Sequence, residues 1–226
     1  VINTILFDFD GLIIDTETPI FTAWRQMYEE YGCTLTVEEY SACLGTNHDA
    51  FDPYKDLETK AGKILPWDKL RPRISACYTD LINANDALPG IRECLAEARQ
   101  RGLRLAVASS STREWVTTHL ARLELLPYFD AIRTRDDVTR VKPAPDLFQA
   151  GLACLDAHPG ETFVLEDSPN GILAAKRAGV FAVAVPNWMT SQLHLNDPDL
   201  CIPSLEEVPL EDLLKKIAER KRAVET

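Results

Sequence analysis

From Leu88-Pro89-Gly90 to the end of the chain, short apolar runs alternate with segments of helical period. The pattern predicts a helix over 91–101 closed by Gly102, a buried strand over Leu103–Ala108 and a helix over 112–124. A short strand over Phe129–Arg133 follows, then a helix over Pro145–Leu155 with proline in its first turn, where a missing N–H costs nothing. Next come a strand over Thr162–Leu165, a helix over Pro169–Ala178 stopped by Gly179, and a strand over Phe181–Val185. Leu200–Ile202 reads as an edge strand, and Leu210 to about Val224 as a charged, mostly solvated helix. Strands that recur after helical crossovers form a parallel sheet with helices on both faces. The opening run Ile5-Leu6-Phe7, which stops at Asp8-Phe9-Asp10-Gly11, belongs to the same sheet.

Between that first strand and the alternating region lies a stretch without a strand signal. Ile20, Phe21, Trp24, Met27, Tyr28 and Tyr31 share one helical stripe within 18–32, ended by Gly32. Short helices are predicted over 36–44 and 50–63, separated by Gly45-Thr46-Asn47. A longer one over 67–84 carries Leu70, Ile74, Cys77, Tyr78 and Leu81 on one face. The expected fold is therefore α/β: a doubly wound, Rossmann-like parallel-sheet core over 1–14 and 86–226, with an inserted α-helical bundle over 15–85 as a second small domain over the sheet.

Composition narrows the function classes. With 226 residues, 46% hydrophobic and 26% charged, the chain is long enough for one core plus an insertion and is neither collagenous nor disordered. A formal charge of −11 argues against nucleic-acid or anionic-membrane partners, which need basic surface. It does not forbid a phosphate ligand, because one basic pocket suffices. The six cysteines form no CxxC pair and read as small buried hydrophobes in a reducing compartment. There is no apolar run long enough to span a bilayer and no secretory signal pattern, so the expected location is cytoplasmic.

In open parallel sheets, ligands bind beyond the carboxyl ends of the strands. Asp8 and Asp10 follow the first strand, and Ser109, Ser110 and Ser111 the second. Lys142-Pro143 follows later, and Glu166 and Asp167 end a further strand. Four converging carboxylates repel one another and call for a cation, and oxygen-only donors suit Mg²⁺. Lysine and serine are the complementary anion binders. A phosphoryl group fits between the metal and the lysine, with an aspartate able to attack phosphorus and a second carboxylate able to move the proton.

Asp8-Phe9-Asp10-Gly11, Ser109, Lys142-Pro143 and Glu166-Asp167-Ser168 resemble, in order, the four motifs of the haloacid dehalogenase-like hydrolase superfamily. The flanking runs Leu12-Ile13-Ile14-Asp15-Thr16-Glu17, Ala144-Pro145-Asp146 and Pro169-Asn170-Gly171 extend the likeness, which is strongest to the phosphatase and β-phosphoglucomutase branch with a helical cap. The resemblance implies Asp8 as nucleophile and Asp10 as general acid/base. It implies Ser109, the Ser110 amide and Lys142 as phosphate ligands. It also implies Mg²⁺ held by Asp8, the Asp10 carbonyl, Glu166 and Asp167. The expected activity is hydrolysis of a small phosphate monoester, sugar-like or nucleotide-like, through an aspartyl-phosphate.

Three other readings stay open. A β-phosphoglucomutase-like mutase carries a histidine twelve residues after its nucleophile, where this chain has Ile20, and a basic cap loop where it has Leu44-Gly45-Thr46-Asn47-His48. A phospho-receiver also groups acids and a lysine, but lacks a cap. A dehalogenase lacks the aspartate at the Asp10 position. Glu17 and His48 are candidate specificity residues; the bland alternatives are helix capping around Thr16 and an exposed loop histidine. His119, His158 and His194 read as structural, and Trp24, Tyr28 and Trp67 as bundle core. Oligomeric state is open.

Overall fold

In a computed structural model that describes residues 1–41 and 51–225, strand β1 (Thr4–Phe7) is fully buried at the middle of a six-stranded sheet. It pairs in parallel with β2 (Arg104–Ala108) on one side and β4 (Thr162–Glu166) on the other. Ile5 lies level with Leu105 and Phe163, and Phe7 with Val107 and Leu165. β3 (Ala131–Arg133) flanks β2, while β5 (Phe181–Ala184) and then β6 (Leu200–Cys201) flank β4, all parallel. The order is β3-β2-β1-β4-β5-β6. The chain winds outward from β1 in one direction and then, from β4, in the other. The order reverses between β1 and β4, and a crevice opens there at the carboxyl edge.

Strand residues alternate between two packed layers, as a period of two requires. Ile5, Phe7, Leu105, Val107, Phe163 and Leu165 pack on α5 (Ile91–Gln100), α6 (Arg113–Arg122) and α9 (Leu210–Glu225). Leu6, Ala106, Val164 and Ala182 pack on α7 (Asp146–Cys154) and α8 (Pro169–Arg177). The C-terminal helix departs from expectation: Leu210, Leu213 and Ile217 are fully buried, so it is an amphipathic wall of the core and only its outer face is solvated.

Residues 17–84 hold helices α1 (Glu17–Glu30), α2 (Val37–Ser41), α3 (Pro53–Ala61) and α4 (Trp67–Ala84) around a separate hydrophobic cluster, which Met189 from beyond β5 also joins. Trp24 and Tyr28 are buried inside it, and Trp67 packs against it. Tyr54 meets Trp24 and Trp67 edge-on, with centroids 4.7 and 4.8 Å away. These rings are bundle core. The two connections to the sheet run side by side: Leu88 N donates to the Ile13 carbonyl at 2.9 Å, and Asn85 Nδ2 to the Asp15 carbonyl at 3.1 Å. His48, Cys43 and the Gly45-Thr46-Asn47 loop lie outside the described residues.

Candidate active site

The crevice edge is built from four strand ends. Asp8 leaves β1 with its amide still bonded to the Leu165 carbonyl, at 3.0 Å. Three residues on, Gly11 turns the chain at φ +80°. A Cβ there would lie 2.2 Å from Asp167 Oδ2, so only glycine lets this turn pack against Asp167.

Lys142 is the hub of the buried cluster. Its Nζ donates to Asp8 Oδ1 at 2.5 Å and to Glu166 Oε1 at 2.7 Å, and all three side chains are at most 9% exposed. Burial works against the lysine charge, but Asp8 and Glu166 outweigh it and hold the ammonium above its ordinary pKa. The Nζ also sits 4.9 Å from the Phe148 ring centroid, a further contact that favours the cation. Burial and then repulsion from Glu166 push the Asp8 carboxyl well above its ordinary range, with Lys142 opposing. Glu166 Oε2 accepts from the Ser168 amide at 2.8 Å and its hydroxyl at 2.9 Å. Both Glu166 oxygens thus have partners.

Asp167 differs. Its Oδ2 accepts from Asn187 Nδ2 at 2.9 Å, while its buried Oδ1 has no partner. Burial, then repulsion from Glu166 and Asp8, raises its pKa well above normal. Ligand atoms of Asp8, Glu166 and Asp167 lie within 4.8 Å of one another. Three carboxylates against one ammonium leave negative charge in excess in a nearly dry volume, which is costly without a counter-ion. The donors are all oxygens, and one buried oxygen stands unused. This set fits a hard divalent cation such as Mg²⁺.

Asp10 faces a different group. Its Oδ2 accepts from Ser111 Oγ at 2.6 Å and Ser109 Oγ at 3.2 Å, and its Oδ1 from Trp115 Nε1 at 2.9 Å. Ser109 is buried at the end of β2, and its Oγ also accepts the Ser111 amide at 3.0 Å. Ser110 is exposed beside it. Thr112 caps α6, accepting the Trp115 amide at 3.3 Å, so that helix begins at the same edge. The positive end of the helix dipole favours an anion there.

Glu17 opens α1 and is half-buried. Burial and the charges of Asp10 and Asp15 push its carboxyl up to about 7. Asp15, rather than Thr16, supplies the side-chain cap of this helix: its Oδ1 accepts the Thr18 amide at 3.0 Å, while the buried Thr16 hydroxyl has no partner.

The model of the haloacid dehalogenase-like hydrolase family matches residues 5–185. The chain belongs to the haloacid dehalogenase-like hydrolases. YhcW of Bacillus subtilis (strain 168) is 38% identical over 94% of this chain and 96% of its own length. A phosphorylated carbohydrates phosphatase of Thermotoga maritima is 31% identical over 79% of this chain and 82% of its own. A β-phosphoglucomutase of Bacillus subtilis (strain 168) is 30% identical over 81% and 83%. Among solved structures, a CbbY mutant from Rhodobacter sphaeroides in complex with xylulose-(1,5)bisphosphate superposes with TM-score 0.71 at 27% identity, covering 94% of this chain and 99% of that one.

As a phosphohydrolase of this family, the chain brings Asp8, Lys142, Glu166 and Asp167 into one buried cluster and Asp10 with Ser109 beside it. Trp115, Ser168 and Asn187 also contact these groups, and sequence reasoning assigned them no role there; Ser111, read with Ser109 and Ser110 as an anion binder, bonds Asp10. Ser168 stood inside a quoted motif, and Ser111 among the serines that follow the second strand. Trp115 and Asn187 carried no local signal, because their contacts arise only when α6 and the segment after β5 reach the edge. Among the histidines, His119 is buried against Trp115, and His158 and His194 are exposed.

Proposed function

We propose that this hydrolase removes phosphate from a small phosphate monoester, sugar-like or nucleotide-like, with Mg²⁺ and an aspartyl-phosphate intermediate. The observation that carries the reading is the Lys142 hub. It fixes Asp8 against Glu166 in a buried cluster whose Asp167 keeps an oxygen without a partner. Asp8 attacks phosphorus; the new Asp8 O–P bond forms as the bond from phosphorus to the ester oxygen breaks. Asp10 gives a proton to that leaving oxygen. It then takes one from the water that attacks the phosphorus of the aspartyl-phosphate, releasing inorganic phosphate and restoring Asp8. Lys142, Ser109 and the Ser110 amide hold the phosphoryl oxygens. Asp8, the Asp10 carbonyl, Glu166 and Asp167 would hold Mg²⁺, with Lys142 tying Asp8 to Glu166. Bound Mg²⁺ supplies positive charge to the transferring phosphoryl group. The helical block over 15–85 serves as a cap, and its contacts select the substrate.

Similarity to a β-phosphoglucomutase favours a second reading, a sugar-phosphate mutase. Ile20 argues against it: a half-buried aliphatic side chain stands where that branch uses a histidine. The test is phosphate release from a panel of sugar, nucleotide and polyol monophosphates, with and without Mg²⁺, using Asp8→Asn as the inactive control. Mg²⁺-dependent release that the variant loses supports the phosphatase. Isomerised hexose phosphate without release, in the presence of a bisphosphate activator, supports the mutase.

A further inference from the structure

Asn187, just after β5, takes no part in the chemistry above, yet its side chain is fully engaged. Nδ2 donates to Asp167 Oδ2 and to the Gly11 carbonyl, each at 2.9 Å. Oδ1 accepts from the amides of Met189 at 2.8 Å and Thr190 at 2.9 Å. A carboxamide offers two N–H donors and an oxygen with two lone pairs, so this is its whole capacity. The orientation is forced, since an NH₂ group cannot face two backbone N–H groups.

The anchorage is double. The Asn187 amide donates to Thr190 Oγ1 at 3.0 Å, closing the turn, and Met189 is fully buried in the cluster of the helical block. Space for the bridge comes from Gly11, where a Cβ would fall 2.7 Å from Asn187 Nδ2. Without the bridge, repulsion from Glu166 and Asp8 would favour turning the Asp167 carboxylate away from them.

We propose that Asn187 is a positioning residue for Asp167: it holds one carboxylate oxygen and thereby keeps Oδ1 free for the cation. This rests on the reading of Asp167 as a Mg²⁺ ligand. Partners that orient a metal's ligands typically alter affinity by about 10–100-fold when removed.

The test is calorimetric titration of the full chain with Mg²⁺ alone, without substrate. Asn187→Ala removes the bridge. Asn187→Ser keeps a side-chain oxygen for the turn but is too short to reach Asp167, so it serves if the alanine variant fails to fold. Thr190→Val loosens the turn while leaving Asn187 in place. The expected result is Mg²⁺ binding weakened about 10-fold or more by either Asn187 variant and by less than about twofold in Thr190→Val. Phosphate release by the Asn187 variants should recover toward the parent kcat at saturating Mg²⁺, with substrate KM unchanged. Parent-like Mg²⁺ affinity in a folded Asn187 variant overturns the proposal. So does an equal loss in Thr190→Val, which would assign the effect to loop order. Absence of Mg²⁺ binding by the parent chain would instead remove the functional reading beneath it.

Discussion

The indole of Trp115, on the first turn of α6, donates to Asp10 Oδ1 at 2.9 Å. With Ser111 and Ser109 on the other oxygen, three donors from one strand end and its helix fix this carboxylate. The proposed acid/base role of Asp10 needs a defined position, and Trp115 helps to fix that carboxylate from a distance of 105 residues in sequence. Trp115→Phe keeps an aromatic ring against His119, now 4.3 Å away between centroids, and deletes the donor. A hydrogen bond to a charged group contributes about 1.5–3 kcal/mol, so kcat should fall about tenfold or more. Substrate KM should stay within about twofold, because the proposed phosphate ligands are untouched. Steady-state phosphate release checks this; an unchanged kcat would remove Trp115 from the site.

Lys142 offers a test of charge balance. Lys142→Met keeps the length of the stem and deletes the ammonium that faces Asp8 and Glu166. Two buried carboxylates then lose their counter-charge, a change that typically costs about 3–5 kcal/mol. Denaturant unfolding at pH 8 in chelator should show that loss, and added Mg²⁺ should return part of it. Phosphate release should fall by about a thousandfold, the upper range for removing a preorganised charge-stabilising donor.

Gly171 shows how tightly Glu166 is enclosed. A Cβ on this buried α8 residue would sit 1.6 Å from Glu166 Oε1 and 1.8 Å from its Cδ. A carboxylate at the end of a free side chain would swing aside, but this one is held by Lys142 and by both Ser168 donors. Gly171→Ala should therefore lower stability by about 1–3 kcal/mol through overpacking, despite the higher helix propensity of alanine. Urea midpoints measure the loss, and a parallel fall in kcat would trace it to the displaced Glu166–Lys142 pair. A more stable variant would show that Glu166 has room to move.

These contacts also mark what a sequence reading reaches. β1, β2 and β4 are buried on both faces, so their apolar runs announce parallel strands directly, and α4 matches its predicted span of 67–84. Asp8, Asp10, Ser109, Glu166 and Asp167 were legible as candidates because each stands at or just past a strand end within a motif, and Lys142 because Lys142-Pro143 is itself a motif, in the loop between β3 and α7. Trp115 and Asn187 act through tertiary contacts whose partners lie far away in sequence, and an aromatic on a helix or an asparagine in a loop has many bland uses. The buried face of α9 was hidden by the lysines and glutamates around Leu213 and Ile217. The cap of α1 went to Asp15 rather than Thr16 because backbone geometry at the junction decides which side chain reaches the Thr18 amide.

Glu17 carries the pH dependence that the fold builds in. Burial, then Asp10 and Asp15, raises its carboxyl from about 4.5 to about 7. Between those values the folded chain keeps a proton that the unfolded chain releases. Stability attributable to this group therefore declines as pH rises through that window, and the whole penalty is present above pH 7. Glu17→Gln removes the charge at every pH. Because the side chain is half-buried and solvent screens it, the gain at pH 8 should be on the order of 1–2 kcal/mol, below the full value of the shift. Near pH 4 both states of the parent are largely protonated at this position, and the variant should gain nothing. Thermal unfolding in chelator at the two pH values measures the difference. Added Mg²⁺ should shrink the gain at pH 8, since a cation among the neighbouring carboxylates offsets the same repulsion. An equal gain at pH 4 and pH 8 would assign the effect to packing rather than charge.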